Sequence, residues 1–241
     1  MGRVRPILLA VAFFFTTACH SQTILDKTSA HMYRDPKVVA LVEAAIDGDK
    51  VAVARAARSG ADVNMMSPEG ATPLLWAAKA NSAEGMDALL KSGADPWKPL
   101  VGTDSVMSET VRSGAVGQLR VILDNGADPN HPIGERADVS LLHIAAFKGP
   151  IESVQLLLAR GADINFQPVG FDSVANSAIS GGRYDIALYL LENGFHGDLD
   201  DVAAGAQVRQ VSEDREPDRQ KVIAWLKARG VRYPQFPTQD E

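Results

Sequence analysis

The chain of 241 residues has one cysteine, so it can build neither an internal disulfide framework nor a cysteine-based zinc cluster by itself. Its longest apolar run, Ile7 to Phe15, is less than half of the roughly 20 residues that a helix needs to cross a bilayer core, which excludes a multi-span membrane protein. Positive charge is also short. Lysine and arginine number 24 against 30 acids, a formal net charge of −6, and such a surface does not capture nucleic acid electrostatically. Aromatic residues are only 6%, yet 46% of the chain is apolar and 22% charged, a globular balance that rules out a disordered tail or a collagen-like fibre.

What is present begins with an export address over residues 1–18. Arg3 and Arg5 precede the run Ile7 to Phe15, and the small residues Thr16, Thr17 and Ala18 lead into Cys19. Cys19 directly after Ala18 resembles the lipobox of bacterial lipoproteins, whose thiol takes up a diacylglyceryl group; Thr16 departs from the bulkier aliphatic residue usual three positions before it. The other reading of the segment is ordinary signal-peptidase cleavage, with Cys19 left as a free thiol. Cleavage before Cys19 removes Arg3 and Arg5, leaving 22 positive against 30 negative side chains, or −8. Residues 19–35 carry no sustained apolar period and read as a tether; His20 to Asp35 as a flexible coil reaches about 20 Å. Lipidation at Cys19 implies a membrane anchor, and export from a bacterium implies the periplasm. By resemblance to enteric lipoproteins, His20 in place of an aspartate implies the outer membrane, with the protein facing the periplasm.

The strongest pattern is internal. Gly60, Gly93, Gly126, Gly161 and Gly194 recur at spacings of 33, 33, 35 and 33, and the first four each open a Gly-Ala-Asp triplet. A second element stands 21 residues ahead of its glycine, clearest as Thr72-Pro73-Leu74-Leu75-Trp76-Ala77-Ala78 and Ser140-Leu141-Leu142-His143-Ile144-Ala145-Ala146. A period this regular means a repeat architecture in which each unit cannot bury its apolar face alone. Thr72 can cap an incoming helix while Pro73 at its first turn gives up no needed donor. Gly48, Gly114, Gly149 and Gly182 fall between the two helices of their units, where a left-handed residue is cheapest without a Cβ, and Asn81 fills that place in the second unit. Leu89-Leu90, Ile122-Leu123, Leu157-Leu158 and Leu190-Leu191 then supply the face of each outer helix. The third and fifth units, opening at Ser105 and Ser173, lack the proline, so their inner helices are expected to be less well pinned.

These residues resemble the ankyrin-repeat family, with its Thr-Pro-Leu-His-x-Ala-Ala opening and closing Gly-Ala-Asp-x-Asn. The resemblance implies an all-α fold, an ankyrin-repeat solenoid of helix-turn-helix units with β-turn fingers. Five ankyrin-like repeats would occupy residues 36–195, and capping helices and a tail 196–241. It also implies a partner protein gripped by a concave face formed from finger tips and inner-helix ends. Carried over position by position, the contact residues are Met65 and Met66, Trp97 and Leu100, His131 and Ile133, Phe147, and Phe166 and Phe171. Ile46, Lys79 and Arg112 share the helix-end position with Phe147. Trp97 replaces the asparagine with which a finger braces itself, and Trp76 reads as internal packing. Phe166 and Phe171 can equally fold over their own loop. The segment 131–138 carries two extra residues.

Enzymatic readings find little support. His143 fills the family's histidine position, where the imidazole bonds neighbouring loops; His20, His31, His131 and His196 share no metal-ligand spacing. The recurrent glycines belong to the repeat and form no phosphate loop. Asp198, Asp200 and Asp201 lack the calcium-loop pattern and read as a helix start, though a metal-dependent hydrolase is the reading they would support. No cofactor is implied. The favoured function is a non-enzymatic protein-binding module of the periplasm, an immunity protein neutralising an antibacterial toxin such as a secreted lipase. The alternative is a scaffold or protector of a resident periplasmic enzyme in oxidative-stress defence.

Overall fold

The computed structural model describes residues 33–101, 105–133, 139–167, 172–209 and 211–231. The export segment, Cys19 and Phe171 lie outside the described residues. Twelve helices follow one another among those described: α1 Pro36–Ile46, α2 Lys50–Arg58, α3 Pro73–Lys79, α4 Ala83–Lys91, α5 Val106–Ser113, α6 Val116–Asp124, α7 Leu141–Lys148, α8 Ile151–Ala159, α9 Val174–Ser180, α10 Tyr184–Glu192, α11 Leu199–Val208 and α12 Glu216–Ala228. No strand occurs among the described residues; one isolated antiparallel bridge, Ile133 to Val139, closes the long third finger. Odd-numbered helices pack on one another as an inner layer, even-numbered helices as an outer one, and each consecutive pair packs as a hairpin.

The inner helices start on a shared device. Thr72 Oγ1 accepts the Leu75 N–H at 3.3 Å, Ser105 Oγ the Ser108 N–H at 3.1 Å, and Ser173 Oγ the Asn176 N–H at 3.2 Å. The units opening at Ser105 and Ser173, without proline, are therefore capped by the same bond as the unit opening at Thr72, which has one. Proline only presets a backbone angle, whereas the cap satisfies a donor that would otherwise be orphaned.

Between the helices of a hairpin, Gly48, Gly114 and Gly182 have φ of 74°, 72° and 68°, and Asn81 has 55°, all left-handed. Gly149 corrects the sequence expectation, since its φ of −75° and ψ of 169° are extended. The cause is the next residue. Pro150 clashes with a helical conformation of its predecessor and drives it to extended backbone.

Repeats are joined at the fingers by asparagine. The Asn64 side chain donates to Gly93 O at 2.9 Å and accepts from Asp95 N at 2.8 Å. Asn130 repeats both bonds with Gly161 and Asp163, each at 2.8 Å, and Asn165 reaches Gly194 at 3.4 Å and His196 N at 2.9 Å. On the outer layer Asp87 ties three units together: it accepts from Lys91 at 2.8 Å and Asn125 at 3.1 Å and faces Lys50 at 3.6 Å. The Lys91 bond in particular holds the Asp87 carboxyl below its ordinary range. Arg160 pairs with Asp124 one unit further on.

The core is a continuous run of aliphatic side chains between neighbouring units. Leu89, Ile122, Leu157 and Leu190 are fully buried on the outer helices, Leu41, Ala77, Val111, Leu141 and Ala178 on the inner ones. Each large side chain so buried stabilises the stack by roughly 1.5–3 kcal/mol relative to exposure. The terminal outer helices bury less, only Val53 in α2, and Val222 and Leu226 in α12. That is the profile of ends with one neighbour in place of two.

Leu157→Ala should leave a cavity between α8 and its neighbours and destabilise the protein by about 2–5 kcal/mol, read from the urea unfolding midpoint at constant slope.

Candidate protein-binding face

The fingers show which side of each repeat position faces water. After the bridging position (Asn64, Trp97, Asn130, Asn165) comes a half-buried one, Met65, Lys98, His131 and Phe166. The next is exposed: Met66, Pro99, Pro132 and Gln167. The one after that turns inward, with Ser67, Leu100 and Ile133 exposing only 4%, 8% and 7% of their surfaces. Leu100 and Ile133, nominated from the sequence as contact residues, are therefore finger packing. Their periodic position points at the core, and Ile133 is also held by the bridge to Val139. Val101, one residue beyond Leu100, is the exposed apolar side chain here, at 72%. The inward position recurs at the 33-residue spacing of the repeat, and that phase was the signal which separates Leu100 from Val101.

Two nominated residues meet. Trp97 and His131 stack with ring centroids 4.3 Å apart and planes inclined by 23°. Trp97 cannot make the amide bridge of the other fingers, so the contact between the second and third fingers is carried by aromatic surface.

The remaining histidine of interest is internal. His143 Nδ1 lies 2.8 Å from Ser140 Oγ and Nε2 3.1 Å from the Asp172 carbonyl in the next unit. Phe166 meets the imidazole edge-on at 5.9 Å, which accounts for its half-burial. Burial holds the His143 pKa below its ordinary value of 6.5, against the opposing pull of the Asp172 carbonyl. Ser140 and the backbone thus use both ring nitrogens, and the side chain is a clamp between repeats. Ser108 and Asn176 fill the same position in the third and fifth units. Ser108 bonds Ser105 at 3.1 Å, and Asn176 donates to Asp201.

The acidic group after Gly194 is likewise employed locally. Asp198 caps α11 by accepting the Asp201 N–H at 3.0 Å. Burial, together with the nearby Asp198 and Asp172 charges, raises the Asp201 pKa.

At the inner-helix ends, Lys79 lies 5.8 Å from the ring centre of Trp76, itself buried as packing, and Arg112 pairs with Glu109 at 3.4 Å. Between these two helices a cleft of about 200 Å³ is lined by Leu75, Lys79, Glu109, Thr110 and Gln118 among others. Phe147 differs from its counterparts: it is large, apolar and half exposed, at 50%. Its backbone is fixed from below by Gly181, where an added Cβ would fall 1.8 Å from the Phe147 carbonyl oxygen. The ring therefore projects from a backbone packed closely against the next unit.

Comparison with known proteins agrees with this construction. The family described as "Ankyrin repeats (many copies)" matches residues 109–158 and 142–191, and "Ankyrin repeat" matches 69–99. An ankyrin repeat domain-containing protein of Stachybotrys chartarum is 32% identical over 51% of this chain but only 6% of its own length. The mitochondrial disaggregase of Bos taurus is 32% identical over 53% of this chain and 19% of its own length. A Notch-regulated ankyrin repeat-containing protein of Xenopus tropicalis is 34% identical over 37% of this chain and 80% of its own. The chain thus spans a small part of the first two relatives' length and about four-fifths of the third's.

Because the unfolded state binds a proton on His143 at higher pH than the native state does, the stability of this clamp is present above the ordinary histidine pKa. It is lost as pH falls below about 6.5. Unfolding free energy measured by urea at a series of pH values should show this slope, and His143→Gln should flatten it.

Proposed function

We propose that this chain, which belongs to the ankyrin-repeat family, is a non-enzymatic module of the bacterial periplasm that holds a partner protein by its fingers and inner-helix ends. Ankyrin repeats are protein-interaction modules, and the interior of this one is occupied by packing and inter-repeat bonds, with both His143 nitrogens already engaged. The mechanism is masking: a rigid, preformed surface covers part of the partner and needs no chemical step.

One observation carries the reading. Phe147 keeps half its surface in water although its backbone packs against Gly181, and the equivalent positions hold Ile46, Lys79, Arg112 and Ser180. The stack does not bury that ring, whereas aromatic side chains, phenylalanine among them, are enriched in the cores of protein interfaces. Met66 and Val101 extend the apolar contact surface from the finger side, at 36% and 72% exposure. Half-buried Met65, Trp97, His131 and Phe166 form its margin.

Residues 1–19, where a short apolar run leads through Thr16 and Thr17 to Ala18-Cys19, support the reading of export and anchoring. A lipid at Cys19 with the tether behind it would hold the repeats near the membrane. In that compartment the partner we favour is an antibacterial toxin, such as a secreted lipase, which the chain neutralises as an immunity protein.

Phe147→Ala should reduce capture of the partner from periplasmic extract by tenfold or more while leaving the unfolding midpoint within about 0.5 kcal/mol of the parent. Undiminished capture of every protein retained by the parent would place the contact elsewhere.

A further inference from the structure

The junction of the second and third units is unlike its neighbours. Its bridging position holds Trp97, so the carboxamide link made by Asn64, Asn130 and Asn165 is replaced by the stack on His131. Beside the two rings opens a cleft of about 330 Å³ with an apolar floor from Leu90, Pro96 and Ala127. On its rim, the space that a Cβ on Gly126 would occupy is open. No lysine or arginine lines this cleft, and Asp128 is its one carboxylate. One Asp128 oxygen accepts the Asn130 N–H at 2.8 Å, and the other holds no bond among the described residues.

An aromatic wall, an aliphatic floor and one exposed carboxylate with no cationic partner among the described residues together match a long cationic side chain. The geometry points to a receptor for a single arginine, or less well a lysine, of the partner protein. The aliphatic stem lies on Leu90 and Pro96 while the guanidinium covers the Trp97 ring and meets Asp128. A net charge of −6 on the chain favours the approach of such a group, and an anionic or purely apolar side chain would leave Asp128 unanswered. This inference rests on the reading that the finger side binds protein, and it adds the chemistry of one contact.

Two substitutions isolate the contact without unfolding the finger. Trp97→Asn removes the aromatic wall and supplies the amide that bridges the other fingers. Asp128→Asn removes the charge and keeps the oxygen that accepts from Asn130. The full chain is titrated with N-acetyl-arginine amide and with its neutral isostere N-acetyl-citrulline amide, following the Trp97 indole and His131 ring signals by NMR. The arginine probe should move both signals and the citrulline probe neither. Asp128→Asn should weaken binding about tenfold. Trp97→Asn should abolish the response at His131 while unfolding at or above the parent's midpoint. Equal shifts from both probes, no shift from either, or full binding by Trp97→Asn would overturn the assignment. Partner capture that needs Phe147 but survives Trp97→Asn overturns the cleft and leaves the binding face standing. Capture indifferent to Phe147, with the arginine probe still bound, upholds the cleft and overturns the reading centred on Phe147.

Discussion

Every helical hairpin in this protein carries an apolar face that its two helices cannot bury between themselves. That face is covered only when the next hairpin is laid against it, and the requirement propagates along the chain. It explains why Leu89, Ile122, Leu157 and Leu190 lie at one phase of the period and are all fully buried. It explains equally why the terminal outer helices bury fewer residues than the outer helices between them, since an end has one neighbour to satisfy.

Polar groups between units are handled by a second, more local economy. The Asn64, Asn130 and Asn165 amides each pair a carbonyl and an N–H of the following finger, so backbone groups that would be orphaned at a repeat boundary are satisfied in register. His143 does the same from an inner helix, reaching the Asp172 carbonyl. These residues are polar, and their side-chain hydrogen-bonding groups are engaged between units. Their engagement is the reason that a histidine and a group of aspartates in this chain take structural parts.

Against that background the surface is read by subtraction. Side chains that the stack requires point inward or bridge, and those that it does not require stand out. Phe147, Met66 and Val101 are apolar side chains left facing water, and Trp97 breaks the bridging pattern at a cleft that Asp128 also lines. A rigid scaffold that presents a few such groups from fixed backbone positions is built for recognition, because little conformational entropy is lost on binding.

Much of this was legible in the residues. The period, the helix caps and the leucine pairs each report a local rule that repeats, so the sequence pattern alone determined the all-α solenoid and the internal role of His143. Gly149 went astray because a single following proline outweighed the glycine's freedom, a competition between two local rules that the repeat pattern does not display. Leu100 and Ile133 went astray for a tertiary reason: adjacent finger residues alternate between core and solvent, and only packing shows which phase faces in. The stacking of Trp97 on His131 was likewise beyond the sequence, as the two rings are brought together by the apposition of separate fingers. Local hydrogen bonding and periodicity are written in neighbouring residues, whereas exposure and ring contacts depend on where distant units come to rest against each other.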